Sequence, residues 1–261
     1  KAQNITANNV TSKGNAVLTA DKDVTLAGGI SAKRNAQLTA GENMTLGGKT
    51  DVGETLTAHV GNDLAVKDLV STGGNASLTV GRNATLDGAL STGGNFTANV
   101  GNDLTANAAV LSHGTITIDA QNVNLNADLM SDKNLAITAK NNIITKEGAN
   151  LSTKADGTLK ARTVGFGGDV HADGTLTIET DEQLAAKNIT AGGDAVLTPG
   201  TDIIVNDVTV GGNLNAKAVN MTAENITAGG NATLNAGTDL FANNVNVGGD
   251  ANIAAGTQLT A

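Results

Sequence analysis

The stretch GGNASLTVGRNATLDGALST, residues 73–92, runs directly into GGNFTANVGNDLTANAAVLS, residues 93–112. Each block opens on Gly-Gly-Asn and continues with a segment in which apolar and polar residues alternate. A Gly-x-Asn or Gly-x-Asp turn, a second short alternating segment and an apolar residue at Leu90 or Val110 complete it. Alternation with a period of two is the signature of a strand with one buried face. Working outward, the polar residue that follows the turn recurs at Asn15, Asn35, Thr55, Asn75, Asn95, Thr115, Asn134, Thr158, Thr175, Asp194, Asn213, Asn231 and Asp250. The steps are 20 residues as far as Thr115, 19 to Asn134, then 24 and 17, and 18 or 19 thereafter. A repeat this short means that one unit cannot bury its own apolar face, so units must stack.

The columns created by stacking are apolar throughout. One position after each marker stand Ala16, Ala36, Leu56, Ala76, Phe96, Ile116, Leu135, Leu159, Leu176, Ala195, Leu214, Ala232 and Ala251. Two positions further on stand Leu18, Leu38, Ala58, Leu78, Ala98, Ile118, Ile137, Ala161, Ile178, Leu197, Ala216, Leu234 and Ile253. Pairs such as Val24/Leu26 and Met44/Leu46 mark a second strand, and Val10, Ile30, Val70, Leu90 and Val110 mark a third inward point. The predicted fold is therefore all-β: a right-handed parallel β-helix, or solenoid, of about 13 coils with a period of 19–20 residues. Its strands pair one coil away at about 4.8 Å. One repetitive domain over 1–261 is expected, with an irregular coil and loop around 140–170. Both ends stop inside the repeat, so the chain is expected to continue in a longer protein.

Two patterns make sense only if equivalent positions stack. Where the first inward residue is Ala the second is Leu or Ile, as at 36/38 and 76/78, and where it is Leu or Phe the second is mostly Ala, as at 56/58, 96/98 and 159/161; Ile116/Ile118, Leu135/Ile137 and Leu176/Ile178 depart from this and predict a wider core in the middle of the chain. Such compensation keeps the core cross-section constant, as close packing requires. Before the second strand, Asp23, Asn43, Asp63, Asn83 and Asp103 alternate between charged and neutral. Stacked carboxylates would repel by about 1 kcal/mol even at the dielectric constant of water. An Asn between two Asp removes that repulsion and supplies an amide donor.

Composition narrows the function. The chain has 261 residues and 33 Gly, with no Cys, Trp or Tyr, only three Phe, and a formal net charge of −9. The negative charge opposes nucleic acid as a partner. No apolar run is long enough for a membrane span, and the start KAQNITANNV lacks the apolar region of a signal peptide. Glycosidic cleavage needs two carboxylates at a set separation and usually aromatic platforms. Here the Asp and Glu residues sit mainly at turns, where bonding to the turn backbone accounts for them. His59, His113 and His171 are not separated by whole coils and read as solvated surface residues rather than metal ligands. Gly74, Gly94 and Gly193 read as turn glycines with positive φ. A non-catalytic chain without metal or cofactor is expected. Sequons at Asn4, Asn9, Asn43, Asn75, Asn83, Asn95, Asn188, Asn220, Asn225 and Asn231 arise naturally wherever an Asn turn precedes a Thr-rich strand.

One segment departs from both the rhythm and the charge. From Asp132 to Arg162 there are six basic residues, Lys133, Lys140, Lys146, Lys154, Lys160 and Arg162, against three acidic ones, Asp132, Glu147 and Asp156. The 24-residue step lies within it, so additional residues are expected to leave the coil as a loop near 146–157. This is the candidate binding patch, for an acidic glycan or other acidic cell-surface polymer.

Units such as 73–90, 192–210 (GGDAVLTPGTDIIVNDVTV) and 229–247 (GGNATLNAGTDLFANNVNV) resemble filamentous-haemagglutinin repeats over essentially the whole chain. That family comprises giant exoproteins of Gram-negative two-partner secretion systems, including adhesins and contact-dependent growth-inhibition proteins. The resemblance implies an extracellular, cell-surface spacer exported through an outer-membrane two-partner secretion transporter. Such a spacer carries a distal binding or toxin module toward a receptor or glycan on a host or neighbouring cell. Absent Cys and a single Pro, Pro199, suit threading and folding outside the cell. The alternatives are a self-assembling surface fibre subunit, joined end to end, and a carbohydrate-active β-helix enzyme.

Overall fold

A computed structural model describes residues 2–261. Its 32 strands are all parallel to their partners, stacked as a β-solenoid of about 13 turns. The chain divides into two compact units, Lys1–Asp132 and Lys133–Ala261.

In the first unit a coil has three sides. Leu56–Val60, Leu64–Val66 and Val70–Thr72 make one coil. Each strand pairs with its equivalent 20 residues away: Leu56 lies between Ala36 and Ala76, Leu64 between Met44 and Ala84, and Val70 between Thr50 and Leu90. The two inward columns read from sequence are buried on the first side of this unit, except for the half-buried Leu18, with Phe96 and Ala98 both fully enclosed. The register holds because a slip by one residue would turn every inward side chain out to water. The second unit repeats the plan, with the second and third sides often merged into one long strand, as in Leu184–Ala191 and Asp202–Val210.

Polar residues at the corners bond from coil to coil. Between the first and second sides of the first unit, Asn43 Nδ2 donates to Asp23 Oδ1 at 3.0 Å, Asn83 Nδ2 to Asp63 Oδ1 at 2.9 Å and Asn122 Nδ2 to Asp103 Oδ1 at 2.7 Å. The backbone N–H groups of Asp63 and Asp103 return to Asn43 and Asn83 Oδ1 at 3.4 Å. The alternating charge column is thus a continuous hydrogen-bonded ladder. At the corner after the third side, Thr72 and Thr92 donate to the carbonyls of Gly74 and Gly94, and Ser112 and Ser131 to those of Gly94 and Gly114. These hydroxyls are buried, and a partner is what makes their burial tolerable.

Three expectations are corrected. Positive φ is confined, among the described residues, to Gly29 and Gly148, so Gly74, Gly94 and Gly193 are not left-handed. Close approach explains the turn glycines better: a Cβ on Gly81 would overlap the carbonyl oxygen of Gly61, and one on Gly94 would overlap Asn75 Oδ1. Corners stacked at strand spacing leave no room for a side chain pointing along the axis.

The second correction concerns register. Leu135 pairs with Gly157, and Gly157 with Leu176, so Gly157 rather than Leu159 takes the first inward position of its coil, and Leu159 the second. The marker is Asp156 instead of Thr158, giving steps of 22 and 19 residues. Gly157 carries no signal in the sequence because it has no apolar side chain, yet a Cβ there would stand 2.9 Å from Leu176 Cδ1. Leu135/Ile137 and Leu176/Ile178 carry large residues at both inward positions, and the coil between them makes room by having none at its first. Volume is balanced here between coils, not within one.

The third correction follows from the second. Two residues, not four, are additional, and they lie at the corner between Thr145 and Leu151. The loop is therefore 146–150, not 146–157. Ala149 N–H donates to the Lys146 carbonyl at 3.0 Å, and Gly148 supplies the φ of +78° that this tight reversal needs.

Candidate functional site

The six basic residues all lie in the second unit, but they do not form one surface. Lys133 and Lys154 stand at the corner that precedes the first side. Lys146 stands in the loop between the second and third sides. Lys140, Lys160 and Arg162 share a different region, at the end of the first side and the corner after it.

Acidic residues one coil further on share that region too. Lys160 Nζ lies 2.7 Å from Glu179 Oε2. Arg162 donates to Glu182 Oε1 from Nη2 at 2.7 Å and from Nε at 3.0 Å, while Thr163 Oγ1 donates to Glu182 Oε2 at 3.3 Å. The hydrogen bond from Arg162 holds the Glu182 carboxyl below the usual carboxylate range, with smaller help from the guanidinium charge and Thr163. Lys140 and Lys160 line an open concavity together with Glu179, Asp181, Thr180 and Thr198, floored by Ala139 and Ala161. Its charge is mixed. It can present hydrogen-bond donors and acceptors side by side, as a polyhydroxylated ligand requires, but not the uniformly positive surface expected from the segment 132–162.

Counting charge along a window of sequence missed these partners because spatial neighbours lie about 20 residues away. Reading charge by column would have found them: Lys22 faces Glu42 at 3.8 Å, Arg34 faces Glu54 at 3.3 Å and Lys67 faces Asp87 at 2.6 Å, each one coil apart. The Lys67 hydrogen bond, aided by one from Asn107, lowers the Asp87 carboxyl below its ordinary range.

The histidines are exposed, and two have acidic neighbours. His113 Nδ1 is 2.6 Å from Asp132 Oδ2, and His171 Nε2 is 2.7 Å from Asp173 Oδ1. Among the described residues, no group of three or more His, Cys, Asp or Glu is placed to hold a metal ion. Sequon asparagines are drawn into the ladders: Asn188 donates to Asp169 at 2.7 Å, Asn220 to Asp202 at 2.9 Å and Asn225 to Asp207 at 2.6 Å.

A feature not legible as a site in the sequence lies on the outer face of the second side. In the first unit this column reads Thr25, Thr45, Ala65, Thr85 and Thr105. In the second unit Ile144, Gly165, Ala185 and Ile204 stack in consecutive coils. The two Ile are 45% and 47% exposed, and Ile204 lines a shallow groove over Gly165 and Ala185 together with Glu147, Lys187 and Asn206.

No protein family, curated protein or solved structure matches the chain.

Proposed function

We propose that the chain is a non-catalytic spacer segment of a large bacterial surface exoprotein, of the adhesin or contact-dependent inhibition kind that its repeats resemble. The observation that supports this reading is the use made of the polar corners. The Asp, Asn, Glu, Lys and Arg side chains that could do chemistry or bind a ligand are bonded chiefly to their equivalents one coil away. A surface built this way holds neighbouring coils in register. In this reading the outer-membrane transporter of a two-partner system exports the chain, and a distal module engages a receptor or glycan on the opposing cell. The mixed-charge concavity at Lys140, Lys160, Glu179 and Asp181 is where this segment itself would touch a glycan.

The test is location. In cells producing the protein, an antibody against this chain should label intact, unpermeabilised cells, and external protease should remove that label. Deleting the partner transporter should abolish it. Antigen that is confined to the cytoplasm and protected from protease would overturn the proposal.

A further inference from the structure

Between Ala36 and Asp103 the packing of the first unit repeats every two coils, although Ala16/Leu18 stacks on Ala36/Leu38 as like on like. On the first side Ala36/Leu38, Leu56/Ala58, Ala76/Leu78 and Phe96/Ala98 stack in direct succession, so the large residue changes column at every step. On the second side only Ala84/Leu86 and Leu104/Ala106 switch in this way, since Met44/Leu46 and Leu64/Val66 before them carry larger residues at both positions. At the corner between them Asn43, Asp63, Asn83 and Asp103 alternate, each bonded to the next. The three alternations are in phase. Within the four coils from Ala36 to Asp103, those whose first inward residue is large carry Asp and those whose first inward residue is Ala carry Asn; the coils on either side, Ala16 with Asp23 and Ile116 with Asn122, do not follow this rule. Each of the four therefore presents a shape and a charge that fit the opposite kind.

We propose that this parity is a register code that prevents a coil from being skipped during stacking. Successive repeats are close enough in sequence for a folding segment to dock one coil out of place, because strand pairing and turn chemistry would be satisfied equally well. A skip would set Asp103 on Asp63, Phe96 on Leu56 and Ala98 on Ala58. Carboxylate would face carboxylate, and an overfilled column would stand beside an underfilled one. Backbone hydrogen bonding cannot discriminate between coils, so discrimination has to come from side chains that make the wrong neighbour unfavourable.

Three deletions in the full chain test this. Removing 56–75 leaves Ala36/Leu38/Asn43 stacked on Ala76/Leu78/Asn83, and removing 76–95 leaves Leu56/Ala58/Asp63 on Phe96/Ala98/Asp103. Both are parity faults. Removing 56–95 takes out twice as much, but sets Ala36/Leu38/Asn43 on Phe96/Ala98/Asp103, a proper junction. All three lose both the Lys67–Asp87 and Arg82–Asp63 ion pairs, so those losses do not separate them. The expected result is that the two-coil deletion unfolds at a higher denaturant concentration than either one-coil deletion. A stack of interchangeable coils gives the reverse order, because fewer coils leave fewer stacking interfaces. A two-coil deletion that fails to fold, or that unfolds before either one-coil deletion, overturns the proposal. So does a one-coil deletion that keeps the wild-type midpoint.

Discussion

Thr50 sits in a column of apolar residues, between Ile30 and Val70, with no solvent exposure, and its hydroxyl has no hydrogen-bond partner. Burial of an unsatisfied hydroxyl is unfavourable, whereas a methyl in its place would complete the column. Thr50→Val should therefore stabilise the protein by about 1 kcal/mol, read as a higher urea midpoint at unchanged slope. The stacked corner glycines make the opposite case. Gly81→Ala places a Cβ against the Gly61 carbonyl, where the obstructing atom is backbone and has little freedom to yield. We expect a loss of about 1–3 kcal/mol, the scale of overpacking, measured in the same urea titration. Gly165 has open space where its Cβ would stand, so Gly165→Ala is the control and should change the midpoint little.

Within the strands, volume is shared between the two inward positions of a coil. Ala98→Leu adds a large side chain beside Phe96 and should cost about 1–3 kcal/mol. Adding Phe96→Ala should recover part of that loss, and a double variant no better than the single would show that the two side chains do not share a layer. Most of the strand register was readable from sequence, because alternation and a 20-residue period fix inward columns without reference to anything else. It failed at Gly157, where the inward residue has no side chain to reveal it and the space is filled by Leu176 from the next coil. The basic patch was less readable than the strands for a related reason. A solenoid places residues about 20 apart side by side, so Lys160 and Arg162 are answered by Glu179 and Glu182, outside the segment 132–162. The exposed pair Ile144 and Ile204 is not legible in the sequence because their spacing spans three coils and only stacking aligns them.

For the molecule as a whole, the carboxylates lowered by their partners set the direction of its pH dependence. Asp87, held down first by the Lys67 hydrogen bond, and Glu182, held down first by Arg162, bind protons less readily folded than unfolded. Their contribution to stability is present above the ordinary carboxylate range and is lost as pH falls through the lowered folded values. Acid titration should therefore reduce the denaturant midpoint on the acidic side, and the double variant Lys67→Met, Arg162→Met should show a smaller difference between neutral pH and about pH 3. The ladder of alternating Asn and Asp also gives the protein a chemical age. Spontaneous hydrolysis of the Asn83 amide would set a third carboxylate between Asp63 and Asp103, turning a donor into a repelling charge at the centre of the column. Old molecules would then differ from new ones in both charge and stacking, and a population of the protein turned over only slowly would hold both kinds at once.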